Sequence, residues 1–279
     1  MEVLPIIKYL ARLFVNILLM LVIMVYPFLY FFQESLIFIS RSMDPGILQW
    51  AKSAHPDAEI TFTTPDGIKL HGWLVKNSKA KQLPLVIYFG GNAEEVTGFL
   101  QFNNYFKDWA LLLVNYRSYG LSEGKPGQDA LFKDALHIFD EMAKREDIDA
   151  KRILAFGRSL GCGVAVHLAS KKPLKGIILV SPYDSITKVA QAAYFYAPVS
   201  LLLKHPFECL SMAPLIKIPL LGLYAKFDEV ISSRHSKRLI EAWGGAKETA
   251  EIENYYHNTI TDSKKYWQVI TKFMERMRQ

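Results

Sequence analysis

A glycine and serine pattern in the middle of the chain constrains the fold more than any other feature. Gly157, Ser159 and Gly161 are spaced two residues apart, with a β-rich run at 152–155 before them and a helix-favouring run at 164–169 after them. Glycines on both sides let the backbone turn sharply from a strand into a helix, so that the serine hydroxyl projects from the sheet. The pattern is typical of a nucleophile elbow, and it predicts Ser159 as an attacking group.

The chain on either side of this pattern alternates between short apolar runs and amphipathic runs, which is typical of a parallel sheet covered on both faces by helices. An antiparallel hairpin comes first, with strands at 59–63 and 68–75 around a tight turn at 65–67. Further strands are predicted at about 85–89, 111–115, 152–156, 176–181, 219–224 and 248–253. Helices are predicted near 94–107, 128–145, 160–171, 233–243 and 262–277. The fold class is therefore α/β, in a domain that covers residues 58–279.

One interval, between Ser185 and Ile218, interrupts the alternation. It is rich in aromatic and aliphatic side chains and contains Pro198 and Pro206. Loops of this length without structure of their own are uncommon in compact domains. The sequence therefore predicts a helical cap inserted into the domain at about 186–213.

The N-terminal region has the composition of a membrane span. Residues 13–32 contain no charged side chain, and Asn16 is the strongly polar one among them. At about 1.5 Å per residue, such a stretch matches a hydrocarbon core of about 30 Å. A cleaved signal peptide would have a shorter apolar region and a small-residue cleavage site. We expect residues 1–33 to be an uncleaved single-pass anchor and 34–57 a connector; a soluble protein released by cleavage is the alternative.

The orientation of this anchor rests on a few charges. Lys8 and Arg12 precede the apolar stretch, whereas Glu34 and then Arg41 follow it. Because basic residues favour the cytoplasmic side of a membrane, the N-terminus is expected in the cytoplasm and the catalytic domain on the non-cytoplasmic side.

Composition bears on the partners and cofactors of the chain. Its net charge of +6 is distributed without a basic run, so the expected partner is a membrane lipid bilayer and not a nucleic acid. Cys162 and Cys209 lack the spacing of metal ligands or of a disulfide framework. With no nucleotide-binding loop either, no cofactor or metal is expected.

Two further residues lie where a serine nucleophile needs partners. Asp228 and His257 each follow a predicted strand, and the chain order serine, acid, histidine suits a catalytic triad at the carboxyl ends of parallel strands. In such a triad His257 takes the proton of Ser159, and Asp228 orients the imidazole. Glu229 and Asp184 are alternative acids at this stage.

The negative charge that develops during an attack on a carbonyl group needs two backbone N–H donors. The first is expected from Leu160, directly after the nucleophile and at a helix N-terminus. The second is expected from the glycine-rich loop 90–93, where Asn92 is the first choice and Ala93 the second; an ordinary glycine turn is the alternative.

Several segments together resemble the α/β-hydrolase superfamily: Tyr88–Ala93, Asn115–Pro126, Gly157–Gly161, Ser181–Ser185, and Asp228–Ile231 with His257–Asn258. The likeness is strongest to its membrane-anchored, serine-aminopeptidase-like branch, related to lysophospholipid lipases and protein depalmitoylases, and covers about residues 58–277. It implies an α/β-hydrolase fold and serine hydrolysis. Two positions depart from the usual pattern, since relatives generally have His in place of Gly90 and His-Gly in place of Tyr224-Ala225.

An apolar cap beside a bilayer favours a lipid-like substrate, either an acyl ester or an acyl thioester. Tyr194, Phe195 and Leu202 are the candidate contacts for its acyl chain. Arg117 and Tyr119, in a loop near the elbow, either contact substrate or shape the loop. A serine peptidase or amidase using the same triad, and a catalytically silent membrane-anchored scaffold, are the alternative functions.

Overall fold

A computed structural model describes residues 3–279, so that Met1 and Glu2 of the predicted anchor lie outside the described residues. An eight-stranded sheet forms its centre, in the order β1-β2-β4-β3-β5-β6-β7-β8. The strands β1 and β2 are antiparallel to their neighbours, and β3 to β8 are parallel. Their bounds are β1 Glu59–Thr63, β2 Lys69–Lys76, β3 Leu83–Phe89, β4 Ala110–Val114, β5 Ile148–Arg158, β6 Gly176–Val180, β7 Leu220–Ala225 and β8 Lys247–Ile252.

Helices cover both faces of this sheet and extend the chain at its N-terminus. The α-helices are α1 Val3–Met20, α2 Tyr26–Ile37, α3 Pro45–Ala54, α4 Gln128–Ala143, α5 Leu160–Lys171, α6 Ile186–Ala193, α7 Val199–Leu202, α8 Cys209–Met212, α9 Ser233–Glu241 and α10 Lys264–Arg278. Short 3₁₀ helices lie at Val96–Phe106, Ala213–Leu215 and Ile260–Asp262. The predicted α/β class and mostly parallel sheet are confirmed, while the expected helix at 94–107 has 3₁₀ geometry.

The core lies on both faces of the sheet because side chains alternate along each buried strand. In β3, Leu85 and Ile87 belong to the core cluster that includes residues of α4, α5 and α9, whereas Val86 and Tyr88 belong to the cluster that includes residues of α10 and the 3₁₀ helix Val96–Phe106. Strands β3, β4 and β6 are buried along their whole length, as expected for central parallel strands. This double packing fixes the carboxyl ends of the strands, where the candidate site residues follow.

The N-terminal helices α1 and α2 are joined by a π-helical turn at Leu21–Val25 into one helix, Val3–Ile37, of 35 residues. Its most apolar window has a mean hydropathy of 2.3 and buries none of its residues in the protein, so its length and composition suit a membrane span. The helix continues to Ile37, beyond the anchor boundary expected at residue 33. The predicted connector also contains α3, because the Asp44 side chain accepts hydrogen bonds from the backbone N–H groups of Gly46 and Ile47 and starts a helix there.

Candidate active site

The elbow at the end of β5 holds Ser159 in a strained conformation. Its φ is 52° and its ψ is −120°, a region that residues with a side chain rarely adopt. A Cβ atom added to Gly157 would lie 2.6 Å from the carbonyl oxygen of Gly161, and one added to Gly161 would lie 2.0 Å from that of Phe89. Glycine is therefore required at both positions, as the sequence pattern predicts.

The structure brings the three predicted triad residues together. The Ser159 Oγ lies 3.0 Å from His257 Nε2, and His257 Nδ1 lies 2.9 Å from each carboxylate oxygen of Asp228. Both Ser159 and His257 are buried. The residues follow β5, β7 and β8, whose parallel carboxyl ends meet at one edge of the sheet.

The carboxylate of Asp228 is held by further hydrogen bonds. Its Oδ2 accepts from the Ser181 hydroxyl at 2.7 Å, and its Oδ1 accepts from the backbone N–H groups of Ile231 at 2.7 Å and Val230 at 3.0 Å. Burial disfavours the charged form, but the hydrogen bonds from His257, Ile231 and Ser181 outweigh it and lower the pKa of Asp228 below its usual value. Asp228 is thus a charged, oriented acceptor for the imidazole.

The two alternative acids lie elsewhere. Glu229 accepts a hydrogen bond from the backbone N–H of His257 at 3.1 Å, not from its ring. The buried carboxylate of Asp184 pairs with His235 at 2.8 Å and with Arg238 at 2.6 Å. Asp184 therefore joins the start of the cap to α9, and its position leaves Asp228 as the acid that contacts His257.

The loop after β3 lies beside the nucleophile. A Cβ atom added to Gly91 would come within 3.7 Å of the Ser159 Cβ. The N–H of Gly91 is already used, since it donates to Glu94 at 2.8 Å, whereas the N–H of Asn92 has no acceptor within residues 3–279. Asn92 and Leu160 line the cavity together with Ser159, and Ala93 does not.

The carbonyl group of Asn92 fixes this loop from behind. It accepts hydrogen bonds from the Tyr119 hydroxyl at 2.5 Å and from the backbone N–H of Ile39 at 3.0 Å. Tyr119 is fully buried, and Arg117 is bound to the carboxylates of Asp66 and Asp134 at distances between 2.7 and 2.9 Å. The sequence left open whether Arg117 and Tyr119 contact substrate or shape their loop. Their contacts in the structure are those of residues that shape the loop.

An ion pair that sequence reasoning missed braces the same loop. Arg158 donates to Glu94 at 2.9 Å and to the carbonyl oxygen of His257 at 3.3 Å, while the Tyr88 hydroxyl donates to Glu94 at 2.6 Å. Burial opposes the charge of Arg158, but its attraction to Glu94 raises the pKa of the guanidinium above its usual value. The pair joins the loop after β3 to the loop that holds His257, beside Gly90. In the sequence, Arg158 stands between Gly157 and Ser159, at a position where the elbow pattern allows any residue.

A cavity of about 350 Å³ opens over Ser159. Tyr194 and Leu202 line it as predicted, but Phe195 does not. The Phe195 side chain is 81% exposed and contacts Tyr196 edge to face, so it lies outside this cavity, and its predicted contact with an acyl chain stays a prediction. The run of aromatic residues at 194–196 does not show which of these side chains faces the cavity. The lining residues are Leu29, Gln33, Leu36, Ile37, Asn92, Ser159, Leu160, Ile186, Val189, Ala190, Ala193, Tyr194, Ala197, Val199, Leu202, Leu203, Val230 and Ile231.

One wall of this cavity belongs to the N-terminal helix, which the sequence reading treated as an anchor alone. Leu29, Gln33, Leu36 and Ile37 repeat at the spacing of one helix face and line the cavity from α2. The signal was present in the sequence as a glutamine directly after an uncharged stretch, in register with apolar residues.

Comparison with known sequences finds relatives of similar length. The chain is 27% identical over 242 residues to the α/β hydrolase domain-containing protein WAV2 of Arabidopsis thaliana, covering 78% of each chain. It is 27% identical over 266 residues to an uncharacterized membrane protein of Saccharomyces cerevisiae, covering 88% of this chain and 90% of that one. An uncharacterized protein of Mycobacterium tuberculosis is 27% identical over 220 residues, covering 77% and 78%. No protein-family model matches the sequence.

Solved structures with the same fold are α/β hydrolases. An α/β hydrolase from Vibrio vulnificus superposes with a TM-score of 0.70 at 19% identity, covering 86% of this chain and 92% of that one. Acetyl xylan esterase 1 from a Thermoanaerobacterium species superposes with a TM-score of 0.67 at 14% identity, covering 86% and 96%. The chain therefore has the α/β-hydrolase fold.

Proposed function

We propose that this chain, which has the α/β-hydrolase fold, is a membrane-anchored serine hydrolase that cleaves an acyl ester or acyl thioester of a lipid-like substrate. The observation that carries the proposal is the unbroken contact from Asp228 through His257 to Ser159, with the serine facing an apolar cavity. A catalytically silent scaffold would have no need to maintain these two contacts with a serine in a strained turn.

The first half of the reaction forms an acyl-enzyme. The Ser159 Oγ attacks the carbonyl carbon of the substrate while His257 Nε2 takes the serine proton, and Asp228 stabilises the imidazolium. The carbonyl oxygen becomes negatively charged and accepts hydrogen bonds from the N–H groups of Leu160 and Asn92. The tetrahedral intermediate then collapses, the bond to the leaving group breaks, and His257 protonates the departing alcohol or thiol.

The second half releases the acyl group. A water molecule gives a proton to His257 Nε2 and attacks the carbonyl carbon of the acyl-enzyme, with the oxyanion bound at the same two N–H groups. The bond to Ser159 breaks, its oxygen recovers the proton from His257, and the fatty acid leaves. The chain's own residues supply every group that this reaction needs.

The walls of the cavity favour an acyl chain. Aliphatic side chains of α2, α6 and α7 dominate the lining, and within the described part of the chain no lining residue carries a charge. An aminopeptidase substrate presents a free ammonium group, for which such walls offer no carboxylate. The cavity lies near the lower end of the range of about 300–1,000 Å³ for small-molecule sites, which suits one acyl chain.

The helix Val3–Ile37 is proposed as the membrane anchor, with the membrane protein of yeast as supporting evidence by similarity. With Lys8 and Arg12 before the uncharged stretch, we place the hydrolase domain on the non-cytoplasmic side. Digestion of the domain by protease added to sealed cytoplasmic-side-in membranes tests this orientation, and full protection contradicts it.

Purified full-length protein in detergent tests the activity. We expect p-nitrophenyl esters and acyl thioesters to be hydrolysed with a kcat/KM that rises with chain length, and Ser159→Ala to abolish the reaction. Ser211→Ala, which changes an exposed serine of the cap, is the matched control and keeps the wild-type rate. Faster turnover of aminoacyl amides, or equal activity of Ser159→Ala, contradicts the proposal.

A further inference from the structure

The cap contacts the N-terminal helix at a level that belongs to the uncharged stretch. The Tyr26 hydroxyl donates a hydrogen bond to the carbonyl oxygen of Tyr196 at 3.1 Å. Tyr26 lies within the uncharged residues 13–32, seven residues before Gln33. At about 1.5 Å per residue, the cap therefore reaches about 10 Å along the helix toward its N-terminus from Gln33.

Gln33 holds the cap against the N-terminal helix near the end of the uncharged stretch. Its side-chain amide donates to the carbonyl oxygen of Leu202 at 2.9 Å and accepts from the backbone N–H of Lys204 at 2.6 Å. The glutamine is only 5% exposed, and the ammonium group of Lys204 lies 4.2 Å from the centre of the Tyr30 ring. Two hydrogen bonds and a cation–π contact hold the segment after α7 against the helix.

The position of the bilayer along the helix follows from charge. A helix of 35 residues is about 52 Å long, whereas the hydrocarbon core is about 30 Å thick. Placing the core over the N-terminal part would bury Lys8 and Arg12, whose charges are strongly disfavoured in hydrocarbon. Placing it over residues 13–32 buries no charged residue of the helix itself, and its edge then coincides with Glu34, which pairs with Lys125 at 2.5 Å.

With the core at this position, the cap edge, which we define as residues 194–201, lies below the membrane boundary. Its side chains are unusually apolar for exposed groups, with Phe195 81% and Leu201 82% exposed. Aromatic residues such as Tyr194 and Tyr196 favour the membrane interface. Phe31 and Phe28 of α2 are also exposed, so that helix and cap present one apolar surface.

Three backbone carbonyl groups of the cap edge have hydrogen-bond partners within the protein. The carbonyl oxygen of Tyr194 accepts from the backbone N–H of Ala197, that of Tyr196 accepts from Tyr26, and that of Ala197 accepts from the Gln191 side chain at 3.1 Å. Carbonyl groups left without a hydrogen-bond partner are strongly disfavoured in hydrocarbon. The exposed turn between α6 and α7 thus satisfies these acceptors internally.

From these observations we infer that the cap edge is immersed in the bilayer beside α2, and that the acyl chain of the substrate enters the cavity from the bilayer, between α2 and the helices α6 and α7. The inference rests on the proposed function for its substrate. Its partner is the acyl-chain region of the same leaflet. A single-chain amphiphile can then reach Ser159 without passing through water.

A fluorescent label on the cap edge tests the immersion without reference to activity. Both native cysteines are fully buried, so that a single introduced cysteine can be labelled with an environment-sensitive fluorophore. Full-length Phe195→Cys is compared in phosphatidylcholine vesicles with Ile17→Cys, in the span, and with Lys151→Cys, in β5 near the end of the sheet opposite the elbow. Quenching by doxyl-labelled phosphatidylcholine and by aqueous iodide reports the depth of each label.

We expect the Phe195→Cys and Ile17→Cys labels to be quenched by the doxyl lipid and protected from iodide, and the Lys151→Cys label to show the reverse. A Phe195→Cys label that behaves like Lys151→Cys, while Ile17→Cys is protected, overturns the immersion of the cap but leaves the anchor intact. Quenching of the Ile17→Cys label by iodide overturns the anchor as well.

The route of entry is tested by placing a charge on the cap edge. Phe195→Asp should lower kcat/KM at least about ten-fold for a long-chain ester embedded in vesicles, since a carboxylate disfavours immersion. Hydrolysis of a water-soluble short-chain ester should remain unchanged. Tyr105→Asp, at an exposed position near Trp267, is the matched control. An equal loss on both substrates overturns the entry route, whereas absence of short-chain activity in the wild type contradicts the hydrolase itself.

Discussion

The floor and the walls of the cavity are built in different ways. The floor consists of Ser159, Asp228 and His257, which follow parallel strands of one sheet, and its central contacts are hydrogen bonds of 2.9–3.0 Å. The walls consist of apolar side chains from α2, α6 and α7, segments separated by about 170 residues in sequence and joined by the contacts of Tyr26 and Gln33. The sheet thus determines the chemistry, while packing between distant segments determines what can be bound.

The largest effect on the floor is expected from Asp228→Asn. The amide keeps the shape of the side chain but loses the charge that stabilises the imidazolium, so that kcat should fall by roughly 10³ to 10⁴. Steady-state kinetics on a short ester measures the loss. Glu229→Gln is the control, because Glu229 contacts only the backbone of His257, and its kcat should change less than about ten-fold. A larger loss of kcat in Glu229→Gln than in Asp228→Asn would mean that Glu229, and not Asp228, is the acid of the triad.

An intermediate effect on kcat is expected from Arg158→Met. This change removes the hydrogen bonds that link Glu94, in the loop after β3, to the loop that holds His257. Loss of one oxyanion donor costs about 10² to 10³ in kcat, and a displaced donor costs less, so we expect about 10- to 100-fold. Arg152→Met removes a comparable ion pair with Asp149, outside the site, and should leave kcat unchanged. Equal kinetics of the two variants would show that the brace does not position the loop.

A smaller and more selective effect is expected at the wall. Gln33→Leu removes the two hydrogen bonds that Gln33 makes with the cap but keeps the helix apolar, so kcat/KM for a long-chain ester should fall about ten-fold. The short-chain ester should be hydrolysed at the wild-type rate because the floor is intact. Asn16→Leu, a polar-to-apolar change in α1, is the matched control. An equal loss on both esters would mean that Gln33 supports the whole domain and not the wall.

The smallest effect is expected on the pH dependence of the free energy of unfolding. It should differ between a variant of the floor, Asp228→Asn, and a variant of the wall, Gln33→Leu. Because the pKa of Asp228 is lowered in the folded protein, its contribution to stability is present above the unfolded value of about 3.9 and is lost as the pH falls below it. The free energy of unfolding should therefore fall more steeply between about pH 5 and pH 3 in the wild type than in Asp228→Asn. Chemical denaturation across this range measures the slopes, and Gln33→Leu should retain the wild-type slope.

The same division explains what the sequence could predict. The elbow at Gly157 and Gly161 and the chain order of Asp228 and His257 are local patterns that one fold requires, so their positions followed from strand ends. The wall was not predictable, because which face of α2 meets the cap depends on packing between segments that no local pattern relates. For the same reason the sequence did not separate Phe195, which is 81% exposed, from Tyr194 and Leu202, which line the cavity. Arg158 was missed because the motif allows any residue at its position.

The central claim is that Ser159 is the nucleophile of a hydrolase, and covalent labelling tests it most directly. Native full-length protein is treated with a fluorophosphonate, digested, and analysed by mass spectrometry to locate the adduct. The account predicts one adduct, on Ser159, which a long-chain ester competes away and which heat-denatured protein does not form. No adduct on the folded protein, or an adduct on another residue with Ser159 unmodified, would contradict it.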